Sequence, residues 1–265
     1  MSDQWIKKYT PKELKDIVGN TNNVNKINNW LINFKNEAIS NILILGHHGI
    51  GKSLITKIIL DKNNYYYKWL DYIDDKDELL FEDLINSYTG NTLDFFLKKN
   101  KSFALVINDI EKIKLKNEKK RIKELIKINN KHKLFPIIFI SNMQHNKLIT
   151  DIREVSIEIK LKHPTENEIM IFLNKLIDNT HINIVNNKVK RKIINYSQND
   201  IRRLIIILYD IYNCFPSSKE INLDDIHTFM LSTEKKCKDI SLFEAAKELI
   251  KEYTSIEHSL TLYKV

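Results

Sequence analysis

Apolar residues follow two different rhythms along this chain. Over residues 24–34, Val24, Ile27, Leu31 and Phe34 recur every three or four positions, a spacing that predicts a helix with one buried face. Residues 41–45 (NILIL) break that rhythm with a short continuous apolar run, as expected of a strand covered on both faces of a parallel sheet. Similar runs stand at 103–107 (FALVI) and 137–140 (IIFI), and a helix is predicted over 54–60 after the first run. Strands alternating with helices predict an α/β layered domain with a mainly parallel sheet.

Beyond Pro164 the pattern becomes helical throughout. Residues 166–176, 188–196, 200–212 and 223–231 read as helices separated by breaks of Asn, Ser and Pro. Thr165, with Glu168 three residues later, has the form of a capping box and starts the first of them. The expected organisation is an α/β domain over 1–162, a small all-α domain over 163–231 and a tail over 232–265, helical through 242–251.

Directly after the first predicted strand, residues 46–53 (GHHGIGKS) fit the phosphate-binding pattern G-x-x-x-x-G-K-[ST]. Gly46, Gly49 and Gly51 let the backbone turn tightly. The loop, with His47, His48 and Ile50, then presents main-chain N–H groups to phosphate at a helix N-terminus whose dipole favours anions. Lys52 is expected at the β and γ phosphates of ATP and Ser53 on Mg²⁺. The two histidine rings are expected to face solvent.

A second triphosphate element belongs at the end of another strand, and residues 105–111 (LVINDIE) are the candidate. An Asp there ordinarily holds the metal shell, and an adjacent Glu orients water. This chain has Asn108 and Asp109 instead. Asn108 offers the metal a neutral oxygen, and Asp109 is one methylene shorter than Glu. ATP binding is therefore expected, with hydrolysis weak or absent. Asn108→Asp is expected to raise hydrolysis if a metal ligand is all that is missing.

Composition adds a partner class. The formal net charge of +8 favours a polyanion, because Lys and Arg release the counterions condensed on phosphates. Lys112, Lys114, Lys116, Lys119, Lys120, Arg121, Lys123 and Lys127 follow the second element on a predicted helix. They read either as a surface tracking DNA phosphates without sequence specificity or as a solvated face with Glu118 and Glu124 interspersed. Two cysteines, Cys214 and Cys237, suggest neither a disulfide framework nor a zinc site and point to a reducing compartment. The longest apolar run, 204–208, is too short to span a bilayer, and no signal peptide is visible. A soluble intracellular protein with no membrane partner is expected.

Taken in order, several segments resemble the AAA+ clamp-loader ATPases, most closely the replication factor C large subunit. Residues 5–11 (WIKKYTP) and 14–19 (LKDIVG) are similar to the family's opening W-x-x-K-Y-x-P…L-x-x-I-x-G. That likeness implies that Trp5, Tyr9, Val18 and Gly19 surround the adenine. Trp30 and Leu31 match a large-subunit W-L, and 136–142 (PIIFISN) resembles the sensor-1 strand, which implies that Asn142 reads the γ-phosphate. Residues 199–202 (NDIR) resemble sensor 2, which implies that Arg202 reaches the phosphates from the lid, and 241–245 (SLFEA) is similar to a segment beyond it.

The resemblance covers about residues 4–250 and implies a P-loop AAA+ domain with a helical lid. It also implies ATP and Mg²⁺ as cofactors. The implied partners are other clamp-loader subunits, a sliding clamp and primed or double-stranded DNA, in the nucleus or another compartment of DNA replication. Departures are visible. Glu154-Val155-Ser156 stands where small subunits carry S-R-C, with Arg153 off register, so no trans-acting arginine is expected. The E-x-N-A-S-D stretch has no match; Trp69-Leu70-Asp71-Tyr72 stands roughly there. A C-terminal collar is at most begun by Val265, so the chain is expected to be a shortened, divergent subunit or a fragment.

Overall fold

A computed structural model describes residues 2–71, 102–113, 116–143, 146–216 and 219–233. Its sheet has five parallel strands: β1 (Asn41–Leu45), β2 (Tyr66–Leu70), β3 (Phe103–Ile107), β4 (Ile137–Ser141) and β5 (Ile157–Lys160), in the order β2-β3-β4-β1-β5. The three continuous apolar runs form the three central strands, each buried at every residue. The polar-interrupted β2 and β5 lie at the edges of the sheet formed by the described residues.

Successive side chains leave a strand on opposite faces, so each run feeds two cores. Leu43, Leu105, Ile107 and Phe139 pack on one face against Ile122 and Ile126 of α4 (Lys116–His132) and Ile149 and Ile152 of α5 (Lys147–Glu154). Ile42, Ile44, Val106 and Ile138 pack on the other against Ile27 and Leu31 of α2 (Thr21–Ile32) and Ile55 and Ile59 of α3 (Lys52–Lys62). The periodic residues of the predicted 24–34 helix are all buried, although the α-helix ends at Ile32 and Phe34 opens a 3₁₀ turn.

The remaining helices form a third core. They are α6 (Glu166–Thr180), α7 (Asn187–Tyr196), α8 (Ile201–Cys214) and α9 (Leu223–Thr233), joined through Leu173, Ile193, Leu204, Leu208 and Phe229. The capping box is present: Thr165 Oγ1 accepts from the Glu168 N–H, and Glu168 accepts from the Thr165 N–H. The N-terminal helix α1 (Ser2–Tyr9) joins this helical part rather than the sheet. Trp5 packs edge-on against Tyr9 and Tyr209 and tilted against Tyr212.

Asn20, at the start of α2, is tied to the segment just past β5. Its Nδ2 donates to the Lys162 carbonyl at 2.7 Å, and its Oδ1 accepts from the Lys162 N–H at 2.9 Å. Gly19 (φ +70°) sits beside it, where a methyl group would press on Pro164 at 3.2 Å. Lys114 and nearly all of the expected tail, including Phe243, lie outside the described residues.

Candidate nucleotide site

The loop between β1 and α3 turns through Gly49 (φ +73°) and Gly51 (φ +90°), backbone conformations that L side chains rarely adopt. The turn delivers Lys52 to the first residue of α3 and buries it. Its ammonium donates to the carbonyls of Gly46 (2.9 Å) and His47 (2.8 Å) and to Asn142 Oδ1 (2.8 Å). Burial draws its pKa below the ordinary lysine value, while the nearby carboxylates of Glu111 and Asp109 act in the opposite sense.

Three strand ends converge on this loop. From β3, Asn108 Oδ1 accepts from Ser53 Oγ at 3.3 Å, and Asn108 Nδ2 donates to Asp71 Oδ1, just past β2, at 2.9 Å. The same Asp71 oxygen accepts from Trp69 Nε1 at 2.7 Å. From β4, Asn142 is held on both sides: its Oδ1 takes the Lys52 bond and its Nδ2 donates to Glu111 Oε1 at 2.6 Å. Glu111 Oε2 accepts from Ser141 Oγ at 2.8 Å. Asp109 has a left-handed backbone (φ 51°), and its carboxylate pairs with Lys112 at 2.6 Å, which raises the lysine's pKa.

Above the loop lies a cleft of about 370 Å³, within the size range of small-molecule sites. Its floor is the segment from His48 to Leu54 with Asn108, Asp109 and Asn142. Its apolar wall comprises Ile6, Pro11, Ile17, Val18, Ile201 and Ile205. Arg202 stands at the lid side, exposed, with no hydrogen bond or ion pair to the described residues. Asp200 caps α8 by accepting from the Arg203 N–H at 3.0 Å.

Most of the sequence-predicted residues meet here: His48, Gly49, Ile50, Gly51, Lys52 and Ser53, together with Val18, Asn108, Asp109, Asn142 and Arg202. Gly46 and His47 contribute carbonyls to Lys52, and the exposed His47 ring stacks on His163. Trp5, Tyr9 and Gly19, expected around the base, do not line the cleft. Trp5 and Tyr9 are four residues apart on the face of α1 turned to α8, so Ile6 and the following Thr10 and Pro11 reach the cleft instead. Gly19 is buried against Pro164.

The basic residues from Lys116 to Lys127 lie on α4, apart from the cleft, whereas Lys112 ends a 3₁₀ turn before it. Lys116, Lys120 and Lys123 are exposed, while Lys119 and Arg121 are half-buried. Lys123 pairs with Asp151 at 2.6 Å and Lys120 with Glu124 at 3.8 Å.

Sequence reasoning did not assign Glu111, Asp71 or Asp200. Glu111 lay within the same strand-end motif, two residues past Asp109, and Asp200 within the NDIR segment. Asp71 carried no local signal, being 37 positions from the Asn108 it contacts.

A fully parallel sheet of this order, a phosphate loop between β1 and α3, polar residues at the ends of β3 and β4, and a helical lid carrying an arginine define an AAA+ P-loop module. In sequence the chain is similar to replication factor C large subunits. It is 26% identical to the Acanthamoeba polyphaga mimivirus protein named "Putative replication factor C large subunit", over 98% of this chain and 57% of that one. It is 23% identical to that of Methanococcus aeolicus over 93% of this chain and 49% of that one. Replication factor C subunit 1 of Saccharomyces cerevisiae is 22% identical over 87% of this chain and 29% of that one.

The chain thus spans about half the length of the first two relatives. No family model matches it. Among solved structures, the Thermotoga maritima RuvB Holliday junction branch migration motor shares the fold, with a TM-score of 0.61 at 17% identity, covering 92% of this chain and 80% of that one. Among the described residues, no helix is long and apolar enough to cross a membrane.

Proposed function

We propose that this chain binds ATP with Mg²⁺ as a subunit of a clamp loader, acting with other AAA+ subunits to place a sliding clamp on primed DNA. One observation carries the nucleotide part: a buried lysine whose ammonium is held by loop carbonyls and a strand-end asparagine, at the floor of a cleft with an apolar wall. Loop N–H groups and Lys52 suit phosphates, Asn142 and Arg202 suit the γ end, and the wall from Ile6 to Ile205 suits a base.

The donor set fits Mg²⁺: Ser53 Oγ and Asn108 Oδ1 converge at 3.3 Å, with the carboxylates of Asp109 and Asp71 close by. Bound there, the metal would offset phosphate charge. The likeness to replication factor C large subunits supports the choice of clamp, partner subunits and replication compartment, and the α4 lysines support contact with the DNA backbone.

A second reading is a catalytically silent subunit that holds ATP for assembly. It is favoured by the Asp109–Lys112 pair, which engages the carboxylate expected to orient water, and by Arg153, whose Nε forms an ion pair with Glu158 at 2.9 Å within its own chain.

ATP binding and steady-state hydrolysis, with and without primed DNA, test both readings against Lys52→Ala. Tight binding with DNA-stimulated turnover supports the loader, and tight binding without turnover supports the silent subunit. Equal, poor binding by wild type and Lys52→Ala overturns both.

A further inference from the structure

The position that ordinarily carries a metal-binding carboxylate is an amide in this chain, yet that amide is not free to turn. Asn108 Nδ2 is committed to Asp71 at 2.9 Å, which leaves Asn108 Oδ1 facing Ser53 Oγ at 3.3 Å. Asp71 is itself held by Trp69 Nε1 at 2.7 Å, and the Trp69 ring lies 4.4 Å beneath the ammonium of Lys57, which borders the cleft. Parallel pairing of β2 with β3 sets Leu70 beside Ile107, and the Asn108 N–H donates to the Leu70 carbonyl at 2.8 Å. The two side chains therefore meet as a direct result of strand register.

We propose that Asp71 is a positioning residue for the metal side of the nucleotide site. It orients the Asn108 amide so that a carbonyl oxygen faces the metal, and it supplies from one shell further out the negative charge that Asn108 lacks. An amide without such a partner presents either oxygen or nitrogen, and only the oxygen ligates a hard cation. A carboxylate hydrogen-bonded to a ligand fixes its orientation and makes its oxygen more basic. The negative charge is thus displaced by one residue rather than lost. This inference rests on the nucleotide reading above.

The test is equilibrium affinity for ATP measured with and without Mg²⁺, the ratio of the two being the metal-dependent gain. Asp71→Ala is expected to cut that gain by about tenfold, through weaker binding of ATP with Mg²⁺ and no loss of Mg²⁺-free affinity. An unchanged gain overturns the proposal. So does an equal loss with and without metal, which would mean that Asp71 supports the cleft as a whole.

A charge exchange gives the second arm. Asn108→Asp alone sets two carboxylates where an amide now donates across 2.9 Å, so its melting temperature without metal should fall, and Mg²⁺ should restore it. Adding Asp71→Asn rebuilds an amide–carboxylate pair with the charge moved inward, so the doubly substituted protein should recover the melting temperature that Asn108→Asp loses and the metal-dependent gain that Asp71→Asn alone loses. Additive losses in the double variant overturn the proposal. If wild type and Lys52→Ala bind ATP alike, the nucleotide reading itself fails, which is a distinct outcome.

Discussion

The carboxylate of Asp200, at the start of α8, lies over the backbone of Gly49 in the phosphate loop so closely that a methyl group on Gly49 would collide with it. Lid and loop therefore touch through a position where only glycine fits, and its φ of +73° makes the same demand. Gly49→Ala should cost about 1–2 kcal/mol from backbone conformation alone, with a further loss from the collision. Combining it with Asp200→Gly removes the collision and should recover stability in part. Thermal melts of the single and double variants, with ATP affinity alongside, check this.

Lys52 gives a pH dependence of known sign. Its pKa in the free protein lies below the unfolded value of 10.5, chiefly through burial. Below that depressed pKa the charged, buried lysine destabilises the fold, and stability rises with pH from there toward 10.5 as the folded chain releases its proton first. Phosphates at the ammonium raise the pKa again, so in that alkaline window ATP binding takes up a proton and affinity falls as pH rises. Lys52→Met should remove both trends. Melting curves and calorimetric titration in buffers of different ionisation enthalpy measure the difference from wild type.

Glu111 holds Asn142 and Ser141 at once and lends its charge to Lys52. Glu111→Ala strands the Asn142 amide, while Ser141 Oγ keeps its bond to the Asn142 carbonyl at 3.0 Å, and should cost about 1–3 kcal/mol. It should also shift the alkaline window of Lys52 to lower pH, since one charge favouring the ammonium is gone. Any ATP turnover should fall more than ATP affinity, because Asn142 keeps only its Lys52 bond. Chemical denaturation and the pH profile of binding are the measurements.

On α4, the exposed Lys116 and Lys120 and the half-buried Lys119 are the residues to reverse to Glu. Affinity for primed DNA should fall alike for unrelated sequences, and the salt slope should shrink by about 0.9 for each phosphate no longer neutralised. Lys123→Ala should change DNA affinity less, because its ammonium is already 2.6 Å from Asp151. Its effect on stability should stay within about 1 kcal/mol, as for other exposed pairs. Fluorescence anisotropy across a salt series separates the two groups.

The central strands were legible in the sequence because burial on both faces writes itself as an unbroken apolar run, as in residues 103–107. The edge strands were not: Lys68 interrupts β2, and β5 alternates Ile with Glu and Lys over four residues. The helices after Pro164 were readable from period and breaks, and Thr165 with Glu168 marked the start of α6 by local chemistry alone. The phosphate loop was legible for the same reason, since its chemistry is contiguous.

The rest of the site is assembled by tertiary contacts. Asp71 reaches Asn108 only because β2 and β3 are neighbours, a fact that no local spacing encodes. Trp5 and Tyr9 were conspicuous as aromatics, but the face of α1 they share was taken by Tyr209 and Tyr212.

That aromatic cluster bears on how the cleft could change shape. Ile6, Val18, Ile201 and Ile205 all belong to the core of the helical part, whereas Lys52, Asn108 and Asn142 are fixed to the sheet. A ligand held by both would act as a rivet between two plates, its ring seated in one and its charged end in the other. Swinging the plates apart would turn on the short crossings near residues 10–20 and 161–165. It would leave most of the greasy seat whole while separating it from the charged floor, so a departing ligand would lose its grip at one end before the other.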